Sequence, residues 1–257
     1  MLRTLAPPTC LAACVLLTAC GGGHAQTETA KNATTAKELA SSSIPVSSGA
    51  ENPPSKAQAH AFARAVNLTA SDLPGFKVSS ESDHETSSEK HMGEELTRCA
   101  GGVGHRSQIA EVESKDFELE ENIGARSVKS GVTVMRAPAL AARELAAVRS
   151  ERGQKCLASY ITRTFVGKKH EGATVGPASV AVSSVSAPGT SGGFKLSVKM
   201  AVTVHSVRVP LYMNFIGFAY GPAEVVLSTL SLPEAFPAAN EQRLFSLLLT
   251  RARAHHI

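Results

Sequence analysis

From Phe194 onward the chain alternates. Phe194, Leu196, Val198, Met200, Val202 and Val204 are apolar, while Lys195, Ser197, Lys199, Ala201, Thr203 and His205 stand between them. A period of two predicts a β-strand with one buried face. Val207, Val209, Leu211, Met213 and Phe215 continue the alternating pattern; its phase then slips to Ile216, Phe218 and Tyr220 around Gly217, which predicts a β-bulge. Gly221-Pro222 turns the chain into the apolar run 223–230. Connections this short make the strands an antiparallel meander. Earlier, 109–119 and 125–136 read as extended, and Ser127-Val128-Lys129-Ser130-Gly131-Val132-Thr133-Val134-Met135 is β-branched and partly alternating, so a hairpin is expected across 110–136.

Between these stretches the spacing turns helical. Ser55 is placed to cap a helix to Val66, with Ala59, Phe62, Ala63 and Val66 on one face. A short helix from about Glu89 to Cys99 ends at Gly101-Gly102-Val103-Gly104. Pro138 suits the first turn of a long helix to about Ile161, broken near Gly153, with Leu140, Leu145, Val148, Cys156, Leu157, Tyr160 and Ile161 as its apolar side. Residues 234–253 form a last helix with Leu244, Leu247 and Leu248 inward and Arg251 and Arg253 in the final turn, where cations favour the dipole. The order predicts an α+β fold: an antiparallel β-sheet, meander plus hairpin, packed on one face by helices.

The N-terminus breaks this pattern. Arg3 is followed by the apolar run 11–19, LAACVLLTA, too short to span a bilayer, which reads as a secretory signal peptide over 1–19. At its end Leu17-Thr18-Ala19-Cys20 resembles the lipobox of bacterial lipoproteins. That resemblance implies cleavage before Cys20 and acylation of its thiol, a membrane anchor on the extracytoplasmic face; two acyl chains hold a protein stably where one does so marginally. Residues 21–55 are rich in Ala, Ser, Thr, Gly and Pro, so 20–55 is expected to be a lipidated tether with a reach of roughly 30–35 Å, and 56–257 a single extracytoplasmic domain.

Of 257 residues, 43% are apolar and 19% charged, enough for a core. The net charge of +4 is too slight for this length to argue for nucleic acid as a partner. No apolar run after residue 19 approaches the roughly 18 residues of a membrane span. Among five cysteines, Cys10 and Cys14 leave with the signal and Cys20 carries lipid. Cys99 and Cys156 then form an even pair in an oxidising compartment, expected as one disulfide. The alternatives are two free buried thiols or a metal site; the close C-x₂₋₄-C spacing of structural zinc is missing, so no metal or cofactor is expected.

The stretch Gly217-Phe218-Ala219-Tyr220-Gly221-Pro222-Ala223-Glu224-Val225-Val226-Leu227, the later Arg251-Ala252-Arg253 and the early Asp72-Leu73-Pro74-Gly75-Phe76 are similar to those of small actinobacterial lipoproteins of the PsbP-like and kinase-sensor-domain type. The resemblance covers residues 57–254 in layout. It implies an extracytoplasmic domain used for binding or assembly rather than catalysis, and it brings no catalytic residue with it.

Other chemistry reads weakly. Gly189-Thr190-Ser191-Gly192-Gly193 matches G-x-S-x-G, but the next segment is the strongest strand of the chain, whereas a nucleophile elbow needs strand, turn, then helix; a hairpin loop is expected. His84 and His91 flank acidic residues, His205 falls on the polar phase of a strand, and His255-His256 ends the chain, so the histidines do not gather as ligands. Glu111, Glu113, Asp116, Glu118, Glu120 and Glu121, opposed only by Lys115, read as a solvated hairpin face or a partner-docking patch. Arg143, Arg149, Arg152, Lys155 and Lys168-Lys169 make the middle helix basic, a solvated face or a contact for anionic head groups. The expected function is a lipid-anchored, non-enzymatic binding or assembly module whose partner is an envelope protein or a lipid ligand. The alternatives are a lipid or apolar-ligand carrier and a serine hydrolase using Ser191.

Overall fold

The computed structural model describes residues 52–79, 95–121, 124–165, 169–170, 173–204 and 206–257. Residues 1–51, which hold the expected signal, Cys20 and most of the expected tether, lie outside the described residues, as do the polar stretch 80–94 with His84 and His91, Lys168 and His205. The strands are β1 (Lys77–Val78), β2 (Gln108–Glu113), β3 (Phe117–Glu121), β4 (Gly124–Met135), β5 (Lys169–His170), β6 (Ala173–Val175), β7 (Ser179–Val185), β8 (Gly193–Val204), β9 (Val207–Tyr220) and β10 (Ala223–Leu232). The helices are α1 (Lys56–Val66), α2 (helical over 95–100), α3 (Pro138–Arg149), α4 (Glu151–Phe165) and α5 (Ala238–Ala254).

The strands form one antiparallel sheet in the order β1-β3-β4-β10-β9-β8-β6-β5, with β2 also on β4 and β7 also on β8. The architecture is the expected α+β fold with its meander, β8-β9-β10, and its hairpin, β3-β4. The alternation read in β8 is real: Phe194, Leu196, Val198 and Met200 are buried and Lys199 is exposed. α1 is capped by Ser55 through a capping box with Gln58, and buries Ala59, Phe62, Ala63 and Val66.

Helices cover both faces of the sheet rather than one. α3 and α4 pack over Phe194, Leu196, Val198, Met213, Phe215 and Val226. On the opposite face, α1 and α5 pack over Val128, Val132, Ile216, Phe218, Val225 and Leu227. The phase slip at Gly217 is therefore no bulge. β9 pairs without interruption to β8 and β10, and its apolar residues change phase where the second face becomes covered. Gly217 is glycine for a different reason: Phe194 stands directly across from it, and a Cβ there would meet the phenyl ring at 2.6 Å. The long middle helix breaks at Ser150, three residues before Gly153, and the Ser150 hydroxyl accepts the Gly153 N–H at 2.9 Å to start α4.

Two polar ties hold α5 on its face. Glu241 is buried in the first turn, where its carboxylate accepts from Lys195 Nζ, from Asn214 Nδ2 at 2.7 Å and from Thr229 Oγ1 at 3.2 Å. Arg251 in the last turn grips Asp72 with two bonds, at 2.9 and 2.7 Å, and donates to the Asn67 carbonyl at 2.9 Å. Asn67 donates to the Val112 carbonyl and accepts from Ser130 Oγ, each at 2.8 Å. The Asp72-Leu73-Pro74-Gly75-Phe76 motif is thus a joint between α1, α5 and the sheet, with Leu73 buried. The Phe245 ring meets Phe218 edge-on with centroids 5.6 Å apart, fixing the middle of α5.

Val198 is 1% exposed, whereas Lys199 is exposed and lies over the Tyr212 ring. Val198→Asp buries an unpaired carboxylate and should cost about 3 kcal/mol or more. Lys199→Asp gives up one exposed cation–π contact and should cost less than about 1 kcal/mol. Urea titrations of both variants check this, and equal midpoints would refute the assigned face.

Candidate functional site

Cys99 and Cys156 are bonded, with Cα atoms 5.8 Å apart. The bridge joins the end of α2 to the buried side of α4, as the sequence leads one to expect. Arg152 strengthens the corner by donating to the Cys99 carbonyl through Nε and to the Arg98 carbonyl at 3.3 Å, and Arg163 meets Glu95 at 2.8 Å. The chain then turns through Gly101, whose N–H bonds back to the Thr97 carbonyl at 2.9 Å, as does that of Gly102 at 3.0 Å.

Directly after this turn lies a group that the sequence reading missed. Glu111 in β2 and Glu224 in β10 both stand opposite Thr133 of β4, so the three form one row across the sheet on the α3 face. Glu144 of α3 comes down beside them and accepts the Val103 N–H. Gly102 passes so close that a Cβ there would lie 2.5 Å from the Glu144 carboxylate. Burial pushes the Glu144 carboxyl up, against the opposing pull of Val103 N–H and Arg143. Burial pushes Glu224 well above the carboxylate range, and the charges of Glu144 and Glu111 push it further. Glu224 Oε1 is shut off from water with no hydrogen-bond partner among the described residues. Nearby, burial lowers His105, whose Nδ1 lies 2.7 Å from Gln108 Oε1. A carboxyl that keeps its proton beyond the usual range can donate as well as accept hydrogen bonds, and Glu144 alone, through Val103, ties the turn after the disulfide to α3. Among the described residues no group of three or more His, Cys, Asp or Glu is arranged to hold a metal ion. Nothing local announced this group: 111, 144 and 224 are far apart in sequence, and only the strand register aligns them.

The remaining candidates fall elsewhere. Ser191 sits in the β7–β8 hairpin loop, its N–H bonded to the Ala219 carbonyl at 2.9 Å, with a strand after it and not a helix. The acidic stretch is opposed by more than Lys115: Lys129 of β4 meets Glu113 at 2.6 Å and Asp116 at 3.7 Å, and Arg126 meets Glu121 at 3.2 Å. These partners lie across the hairpin, beyond any count along the chain. The basic middle helix is largely engaged within the protein. Arg149 donates to Ser184 Oγ at 2.7 Å, Arg152 holds the α2 carbonyls, and Lys155 pairs with Glu151 one turn away. His255 and His256 are exposed, and Ile257 beyond them packs against the core.

Two cavities flank the α3–α4 corner. One, about 40 Å³, is apolar and lies under the disulfide among Leu96, Val148, Leu157, Phe194, Leu196 and Phe215. The other, about 330 Å³, is an open polar groove between the corner and β7, lined by Arg149, Ser150, Gln154, Val182, Ser183 and Ser184. Among the described residues no helix is long and apolar enough to cross a membrane.

No family model and no curated protein matches the chain. Among solved structures, the extracellular domain of PknH from Mycobacterium tuberculosis is similar, with a TM-score of 0.41 and 9% identity, covering 79% of this chain and 98% of that one.

The corner and the carboxyl group can each be tested. Reducing the Cys99–Cys156 bridge should destabilise the domain by about 2–5 kcal/mol and raise hydrogen exchange first over 95–104, ahead of the meander. Unchanged exchange there after reduction would contradict it. Folded Glu144 and Glu224 hold their protons more tightly than the unfolded chain, so their contribution is fully present below about pH 4.5 and is lost as pH rises through their raised values. Asp72 runs the other way. Burial would raise it, but the bonds from Arg251 and Thr69 outweigh this and hold it below its ordinary value, so its contribution is lost only as pH falls under about 3.8. Glu144 and Glu224 should therefore favour the fold at pH 5 over pH 8, while His105, lowered by burial, works against this below about pH 6.5. Glu224→Gln, always neutral, should flatten that difference, which urea titrations at both pH values would register.

Proposed function

We propose that the chain is a lipid-anchored, non-enzymatic binding or assembly module on the extracytoplasmic face of a cell membrane, held through Cys20 by the 20–55 tether. The observation that carries this reading is the filled interior. Among the described residues, the apolar cavity between the α3–α4 helices and the sheet is about 40 Å³, against the roughly 300–1,000 Å³ of sites that enclose a ligand. A carrier of lipids or apolar ligands needs a continuous apolar chamber between its layers, and both faces of this sheet are closed by packed side chains. The larger space is an open, polar surface groove, which suits contact with a protein. The hairpin setting of Ser191 favours binding over acyl chemistry.

The full chain, purified gently from its own membranes and examined by native mass spectrometry, should carry a protein partner and no stoichiometric lipid beyond the anchor on Cys20. Cys20→Ala should leave it unprocessed or shed. A lipid bound one-to-one to the Cys20→Ala protein would turn the assignment to a carrier, and a Cys20→Ala protein still membrane-bound at the normal mature mass would overturn the anchor.

A further inference from the structure

The sheet ends in strands of very different kinds. β1 and β5 are two residues long and each carries a lysine, Lys77 and Lys169. β2, paired to β4, is packed by α1. β7 has seven residues, SVAVSSV, with no charge and no proline inside it; Pro177 and Pro188 stand just beyond its ends. It pairs with β8 alone, and Ser179, Ala181, Ser183 and Ser184 are exposed. Every second residue of an antiparallel edge strand turns its N–H and C=O outward, and among the described residues no backbone bond from β7 is made on that side. Natural edges are blunted by lysine, proline, a bulge or shortness. β7 has none of these, and at about 3.3 Å per residue it offers roughly 23 Å of straight edge.

Resting on the assembly reading above, we propose that this edge pairs antiparallel with the β7 edge of a second copy of the chain, about a two-fold axis at Val182, joining two sheets into one. The strand is complementary to itself. Centred on Val182, all seven residues pair as Ser179 with Val185, Val180 with Ser184, Ala181 with Ser183, and Val182 with its own counterpart. These pairs hold no charges to repel and no bulky group to clash, and side chains of a pair share one face. A two-fold contact of one patch with itself closes at two copies. The rim fits the same occupant. The groove beside β7 is lined by Arg149, Ser150, Gln154 and Ser184, whose hydrogen bonds are largely met within the chain, and Glu151 pairs with Lys155 on the same helix, so two copies meet without a like-charged border.

The test uses the full chain in detergent. Val182→Cys under mild oxidation should give, as the main new product, a peptide in which position 182 of one copy is disulfide-linked to position 182 of the other. Adding Ala181→Lys, on the exposed face of the strand, should lower its yield about tenfold, because it sets two like charges on diagonal neighbours, while the circular dichroism and the Cys99–Cys156 bridge stay unchanged. Sedimentation of the otherwise unaltered protein should shift from dimer toward monomer with Ala181→Lys alone. A monomeric protein, a link from position 182 only to some other protein, or a yield indifferent to Ala181→Lys overturns the pairing. A monomer that still carries a protein partner in the native spectrum fells the pairing and leaves the binding-module reading standing; a dimer that carries stoichiometric lipid does the reverse.

Discussion

Val225 and Val226 are neighbours in β10, yet each belongs to a different core: Val225 faces α1 and α5, and Val226 faces α3 and α4. The same holds for Phe215 and Ile216 in β9. Where β4, β10 and β9 run side by side, side chains on both faces are out of water, so a one-residue slip of register would exchange the two cores wholesale. That double burial constrains the rest. It fixes the pairing of the central strands, requires helices above and below, and fills the space between the layers with side chains but for the small cavity beside Phe194 and Leu196. It also explains Gly217, since the Phe194 ring can fill the α3 face only if the strand beside it gives up a side chain.

A sheet covered twice needs its helices held in place by something more specific than apolar area, which is non-directional. α5 is held at three heights: Glu241 on Lys195, Asn214 and Thr229, Phe245 on Phe218, and Arg251 on Asp72 and the Asn67 carbonyl. Buried charges stabilise little in net terms against apolar substitutes, but losing one partner is severe. Such ties therefore select one seating of α5 from the several that its apolar stripe alone would allow. The opposite helices are held differently, by a covalent bond from α2 to α4 and by Glu144 accepting from Val103. Asp72 on one face is held below its ordinary value by Arg251, while burial on the other raises Glu144 and Glu224, so these groups answer to pH in opposite directions.

Much of this was legible in the sequence, and the failures share one cause. Alternation gave β8, the turn at Gly221-Pro222 gave the β9–β10 connection, Ser55 gave the start of α1, and an even cysteine pair gave the bridge. Each of these is a local or arithmetic signal. The reading of one covered face failed because periodicity reports whether a strand is half-buried, and β9 changes from half-buried to fully buried along its length; a shift of phase and a change of burial look alike in one dimension. The acidic hairpin was read as nearly unopposed because Lys129 and Arg126 sit on the neighbouring strand. Glu111 stands out only as part of the acidic stretch, and Glu144 and Glu224 not as chemistry at all, for the same reason, since only the register opposite Thr133 and the descent of α3 place them together.

The filled interior moves the question of function outward. If neither face of the sheet encloses a chamber, recognition falls to edges, loops and helix corners, where backbone groups are still unpaired. The acidic and basic residues there are already committed: Glu113, Asp116 and Glu121 to the hairpin, Arg149 to Ser184, Arg152 to the α2 carbonyls. Charge is therefore a poor guide to this surface. Among the described residues, what stays open is the main chain of β7, a strand of serine, valine and alanine. Hydrogen bonds along a strand edge are strong in number and indifferent to side chain, so specificity must come from what the side chains permit. Small uncharged residues permit a flat, close approach and exclude little by themselves, which leaves the shape of the α3–α4 corner, standing over one end of the edge, as the part of the structure able to discriminate.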